Sequence, residues 1–464
     1  MIAGTDYTIA DGKTRFITID KGPAICHISH PAFPAFSGDN ILATTQVQPM
    51  GAPTTVVATF KVSGLGEAGS SVGFTTRDVT NLYIDWTGDR IDYCDYPASA
   101  EFSSSDNVPA EAVGHTATIY TYDSPEDLGV VSISGIGMSE FNGAPLTGCY
   151  AFMLYDSDID VANIAFPNAA NLRELSLSRA KATALDLSKF PSLTNLALLH
   201  TDLTSIDLSK CPALLTAALG SNALESVKFN NPKMWGLDLS SNNLSSIDLN
   251  GLPALSQLQI ADNALKEIDL SPVASTLQAV MLSQNSFRFS TLPDPASLPA
   301  LGNVFFYSNQ AKVPVELVDS KIDLSAEAKV GETATVYKWY YGDITVDLTE
   351  MTVTGEELQS DGDDPEVTVE NGITTFHVSY DEPVTCVMTN AQYPNLMLIT
   401  EPVRLSGIAD IFADSAASIC DVYSVSGVIV RSGVEASAAI EGLDPGLYIV
   451  APRNGGKATK VAVR

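Results

Sequence analysis

Several short stretches carry residue types that could do chemistry. Cys26-His27-Ile28-Ser29-His30 offers three side chains able to ligate a metal, but no second pair follows at the spacing a tetrahedral site needs. Surface or packing roles fit them better. Gly64-Leu-Gly-Glu-Ala-Gly69 fits the pattern of a dinucleotide loop, which must open a helix whose N-terminus holds the pyrophosphate. The next residues, Ser71-Val-Gly-Phe-Thr-Thr76, read as a strand, so the glycines mark a hairpin turn. Gly69-Ser-Ser71-Val-Gly73 fits a nucleophile elbow, which needs the same absent helix and a histidine partner, so Ser71 reads as a turn residue. His200 has no partner carboxylate in the pattern. Asp156-Ser-Asp-Ile-Asp160 and Ser360-Asp-Gly-Asp-Asp-Pro-Glu366 are acidic loops without the full ligand spacing of a calcium site, and the second reads best as a solvated acidic turn. Nowhere do an acid, a base and a nucleophile converge. The expectation is no enzyme, no catalytic residue, no metal and no cofactor.

Composition narrows the partners. The 464 residues carry 55 acidic and 25 basic side chains, for a formal charge of −30. Such a field repels a phosphate backbone, so nucleic acid is a poor partner, as is an anionic membrane surface. Charged residues are only 17% of the chain and hydrophobic ones 45%, so the polar surface must come largely from Ser, Thr, Asn and Gln. No apolar run reaches the roughly 18 residues of a spanning helix. The six cysteines, Cys26, Cys94, Cys149, Cys211, Cys386 and Cys420, are far apart and read mostly as small buried hydrophobes, with one or two long-range bridges left open.

The elements that must position any site are repetitive. Unit starts at Ala151, Leu172, Leu193, Leu214, Met234, Leu255, Leu277 and Leu301 lie 20–24 residues apart, with the shared pattern L-x-x-L-x-L-x-x-N-x-L-x-x-I-D-L-S. One unit cannot bury its leucines alone, and stacking turns each row into a continuous core. The alternating L-x-L tract predicts one short strand per unit. The pattern resembles the leucine-rich repeat family in the short form common on bacterial surfaces. The expected fold is mainly β: a solenoid of about eight units flanked by β-sandwich domains.

Within this frame Asn222, Asn242, Asn263, Asn285 and Asn309 form a ladder expected to bind turning backbone, with Ile159, Ala180 and Thr201 at the same position in earlier units. Asp186, Asp207, Asp248 and Asp269 recur at unit ends, where a cation ladder or a set of turn caps is conceivable; turn capping is the expectation, because lone carboxylates one strand apart repel. The outward middle position holds Ser176, Ala197, Ala218, Asp238, Gln259, Met281 and Phe305, and two residues on come Ser178, Leu199, Gly220, Ser240, Ala261, Ser283 and Tyr307. This face is small and neutral, without charge stripe or aromatic platform, except at the Met281–Tyr307 end. Either the next domain packs there or a ligand does. The candidate ligand-binding residues are Asp238, Gln259, Met281, Phe305 and Tyr307.

The flanks also alternate with period two. Residues 1–135 read as an N-terminal β-sandwich, and from about residue 53, with the turn Asp85-Trp86-Thr87-Gly88-Asp89, they look like a PKD-like module. The solenoid is expected over 136–318. Residues 319–405, with Val336-Tyr-Lys-Trp339-Tyr-Tyr341 and Val384-Thr-Cys386, look like an immunoglobulin-like sandwich. Residues 406–464, with Gly446-Leu-Tyr448-Ile-Val and a terminal strand carrying Lys457, Lys460 and Arg464, are similar to the C-terminal sorting domain of the Bacteroidetes type IX secretion route. These resemblances imply a Bacteroidetes surface protein, located outside the cell or on the outer membrane after removal of a signal peptide. The expected function is binding or adhesion, to a protein or carbohydrate ligand. The alternatives are a structural spacer without its own ligand, and a glycan-processing accessory or enzyme with a site in the N-terminal β region.

Overall fold

A computed structural model describes residues 110–405 and 419–463, except 122–123, 183, 379, 381 and 454–457; before residue 110 it describes the short strands between 7 and 95 and the Asp85–Thr87 turn. Among the described residues the regular structure is strands and single-turn 3-10 helices.

The leading element is a ten-stranded sheet. Nine strands run parallel: Val130–Ser134, Ala151–Tyr155, Glu174–Ser178, Asn195–Leu199, Thr216–Ala218, Gly236–Asp238, Gln257–Gln259, Ala279–Met281 and Val304–Phe306. A tenth, Ser71–Thr75, closes the N-terminal edge antiparallel to Val130–Ser134. Alternation explains the register. Leu175 and Leu177 point inward beside Leu196 and Leu198 and are fully buried. Each such leucine contributes roughly 1.5–3 kcal/mol by leaving water. The fold is a mainly β leucine-rich repeat solenoid.

Register corrects the frame at both ends. Phe152, not Ala151, stands at the first inward position beside Leu175. The first unit is therefore headed by buried Cys149 rather than by Ala151, and its ladder slot holds buried Ser157 instead of Ile159. A further turn headed by buried Leu128 precedes it, with Val131 paired to Phe152. The sheet thus continues past residue 135, where a domain boundary was expected. At the other end, Phe305 pairs with Val280 and Phe306 with Met281. The last unit carries one extra residue ahead of its strand, beyond the turn at Pro295–Ser297 that Asp294 caps. Everything after it is displaced by one.

The N-terminal region is woven into the solenoid. A second, six-stranded sheet has the order Ile164–Ala165, Gly137–Asn142, Thr55–Gly64, Thr116–Thr121, Asn81–Asp85, Ile91–Asp95. Gly137–Asn142 pairs with Thr55–Gly64 on one side and Ile164–Ala165 on the other. Trp86 is buried edge-on to Phe60 at 5.8 Å, and the Asp85 carboxylate accepts the Thr87 N–H at 3.2 Å. This sheet covers the apolar end that a solenoid otherwise exposes.

At the other end stand two four-stranded sheets, one built on Lys321–Asp323 and Ile373–Phe376, the other on Val336–Asp347 and Val384–Thr389. Trp339 lies between them, 1% exposed, edge-on to Phe376 at 4.9 Å, and its indole N–H donates to Thr374 Oγ1 at 3.1 Å. The junction with the solenoid is specific. The buried Glu327 carboxylate accepts the Ser290 N–H and hydroxyl. Tyr393 stacks on Phe289 and meets Tyr307 edge-on at 5.5 Å, while its hydroxyl donates to the Leu292 carbonyl. One apolar cluster therefore runs from Val57 to Leu405. The last four strands form a sheet with its own small core around Cys420, Val422, Val450 and Val461, and Leu447 and Ala462 join it to the main cluster.

Candidate functional site: the concave sheet

The repeat motif fixes which side chains face out of the parallel sheet. The middle outward row reads Met153, Ser176, Ala197, Ala218, Asp238, Gln259, Met281 and Phe306. A second row, two residues earlier, reads Ala151, Glu174, Asn195, Thr216, Gly236, Gln257, Ala279 and Val304. Small residues at the centre leave a depression of about 330 Å³ between the strands of Glu174 and Gln257. Its floor is Ser176, Ala197, Ala218 and Gly236, and its polar walls are Glu174, Asn195, Asp238, Gln257 and Gln259. No Lys, Arg or His lines it.

Trp235 stands at its rim, 45% exposed. It occupies the residue just before the strand, a slot filled by Tyr150, Arg173, Thr194, Leu215, Ser256 and Gln278 in other units. The sequence pattern of outward positions begins one residue later and so missed it. The usable signal was the tryptophan itself, a large apolar ring in a slot that elsewhere is mostly polar. Trp86 and Trp339 are buried, so Trp235 is the exposed indole among the three.

The expected ligand residues divide. Asp238 and Gln259 lie on the concave face and line the depression. Asp238 Oδ1 accepts the Ser240 N–H at 2.9 Å, which fixes the carboxylate. Met281 faces outward, half-buried, beside Phe306. Phe305 and Tyr307 do not face out, because of the extra residue in the last unit. Phe305 packs inward on the core and Tyr307 is buried under Tyr393. The exposed aromatic at this end is Phe306, 50% exposed.

The ladder behind the face is built by Asn222, Asn242, Asn263 and Asn285, and its last rung is Gln310, not Asn309. Asn242 accepts the Leu224 N–H at 2.9 Å and donates to Leu219 and Leu239 carbonyls at 3.0 Å. Gln310 repeats this with the Phe287 N–H and the Leu282 and Tyr307 carbonyls. Asn309 instead takes φ 55°, in line with His200, Ser221, Ser241, Asp262 and Gln284, all left-handed. His200 is thus a turn residue. A further buried amide, Asn231, donates to Leu208 and Cys211 carbonyls and was not singled out by the repeat.

The recurring aspartates sit on the convex side as turn caps. Asp186, Asp207, Asp248 and Asp269 accept the N–H two residues on. The Ser188, Ser209 and Ser271 hydroxyls and amides hold Asp186, Asp207 and Asp269 below the ordinary carboxylate value of 3.8. In the acidic loops, Asp156 pairs with Arg179 at 3.0 Å, Asp160 accepts the Ala162 N–H, and Asp364 meets Lys460. Among the described residues no three metal-capable side chains gather. Cys149, Cys211, Cys386 and Cys420 are free and buried, and burial pushes the Cys149 thiol up to about 12 and that of Cys211 to about 11. The side chains of Cys26, His27, His30, Ser71 and Cys94, and residues Gly66 and Gly69, lie outside the described residues, while the backbone of Ser71 and Gly73 belongs to the Ser71–Thr75 strand.

No protein-family profile matches the chain, and no curated protein matches it. Solved structures similar to it include a leucine-rich repeat protein of Leptospira interrogans, at 19% identity over 37% of this chain and 46% of that one, TM-score 0.33. Another is the functional domain of InlJ from Listeria monocytogenes, at 17% identity over 60% and 63%, TM-score 0.39. A third is internalin C2 of Listeria monocytogenes, at 20% identity over 40% and 82%, TM-score 0.32. The match thus spans less than two thirds of the first two. Among the described residues no helix is long and apolar enough to cross a membrane.

Proposed function

We propose that this chain is a recognition protein that binds its ligand on the concave sheet, in the depression beside Trp235, and that it binds rather than catalyses. The observation that carries this is one exposed indole over a small-residue floor, ringed by side chains that can hydrogen-bond. Partly buried aromatics supply much of the energy of recognition sites. A rigid parallel sheet holds these groups without loop motion, so little ordering is lost on binding.

The proposed location is the cell surface or the outside of the cell, after loss of a signal peptide, in the manner of Bacteroidetes surface proteins. Its support is the sequence of residues 406–464 and its resemblance to a sorting domain. The flanking PKD-like and immunoglobulin-like modules act in this reading as caps and spacers around the solenoid. Surface labelling of intact producing cells tests the location, and labelling confined to lysed cells contradicts it.

Binding is tested by probing glycan and protein arrays with the full chain and with Trp235→Ala. The expected result is a ligand whose signal is lost in the variant. A ligand bound equally well by both moves the site elsewhere.

A further inference from the structure

We infer that the Trp235 depression takes a neutral oligosaccharide, about two linked rings long. This rests on the concave-face reading above and specifies its ligand class. The volume of about 330 Å³ lies at the low end of small-molecule sites, roughly 300–1,000 Å³.

Charge sets the class. The lining contains no cation to hold a carboxylate, sulfate or phosphate, and the chain's charge of −30 repels anions at a distance. Nor is there a nest for a cation. The two lining carboxylates, Glu174 and Asp238, stand three strands apart, about 14 Å at the usual strand spacing. Asp238 is also held by the Ser240 N–H. A protein partner of ordinary interface size needs several aromatic or arginine anchors, and this depression offers one ring.

What remains suits hydroxyl groups. A sugar hydroxyl donates and accepts, and so do the amides of Asn195, Gln257 and Gln259. The carboxylates of Glu174 and Asp238 add acceptors. The indole gives the apolar C–H face of a pyranose a flat partner. The alanine and glycine floor lets a flat ligand lie against the sheet.

The test is a fluorescence titration of the full chain with cellotetraose, mannotetraose, maltotetraose and chitotetraose. A heparin tetrasaccharide and tetralysine serve as the charged probes. Because Trp86 and Trp339 are buried, a change in emission reports chiefly on Trp235. At least one neutral probe is expected to shift the emission, with affinity unchanged between about 50 mM and 500 mM salt, since no charge pairing is involved. Gln259→Ala, and Ala218→Tyr, which fills the floor, should each weaken it about tenfold, a modest share of the binding energy. Both positions face solvent, and melting curves check the fold of the variants. Salt-sensitive binding of tetralysine or heparin at Trp235, with no response to the neutral probes, overturns the neutral-sugar assignment and leaves the concave site standing. A silent neutral panel with no other ligand at Trp235 overturns both.

Discussion

At the residue scale, the ladder shows what the repeat motif means physically. Each amide side chain satisfies one backbone N–H and two or more carbonyls that the turn leaves over. Asn242→Ala should therefore cost on the order of 1–3 kcal/mol by orphaning buried backbone groups. Gln310→Ala should fall in the same range, and Asn309→Gly, which keeps the left-handed turn and loses no ladder bond, within about 0.5 kcal/mol. Urea unfolding of the three variants checks the order; a larger loss at Asn309 than at Gln310 would refute the register. The period made Asn222 through Asn285 legible from sequence. The last rung was not, because Phe305, Phe306 and Tyr307 are three aromatics in a row and hide a one-residue slip in the alternation. Trp235 is hidden for a different reason, since it precedes the Gly236–Asp238 strand and stands outside its alternation.

At the scale of elements, the unit-end aspartates Asp186, Asp207 and Asp269 are turn caps whose ionised form the fold favours. Their lowered pKa means that their stabilisation is complete above the ordinary value of 3.8 and is lost as pH falls through the lower folded values. The midpoint of thermal unfolding should drop on acidification below about pH 4, where unfolded-state carboxylates begin to protonate. Asp207→Ala should flatten that drop and lower stability at neutral pH, while Asp207→Asn, which can still accept the Ser209 N–H, should keep most of the cap. Melting curves from pH 2.5 to 7 read the effect, and an identical acid slope in Asp207→Ala and the parent would contradict it.

At the scale of the whole molecule, a division read from sequence at residues 135/136 becomes a shared sheet. Period-two alternation identified strands on both sides of that point, but alternation carries no information on which strand pairs with which. The pairing of Gly137–Asn142 with Thr55–Gly64 is a long-range fact of packing. The other junction is equally tight, with Tyr393 1% exposed between Phe289 and Tyr307. Tyr393→Ala should cost on the order of 3–5 kcal/mol. In calorimetry it should lower the main transition as a unit, because one core spans Val57 to Leu405. Melting of the region after residue 319 alone, with the solenoid transition unmoved, would show two independent bodies instead.

The ligand site proposed on the concave face rests on one side chain, Trp235. Oxidation by N-bromosuccinimide tests this most directly, because Trp235 is exposed while Trp86 and Trp339 are buried. The account predicts that one indole per chain is modified, that the modified protein no longer binds the array ligand, and that bound ligand protects Trp235. Undiminished binding by chain oxidised at Trp235 would contradict it.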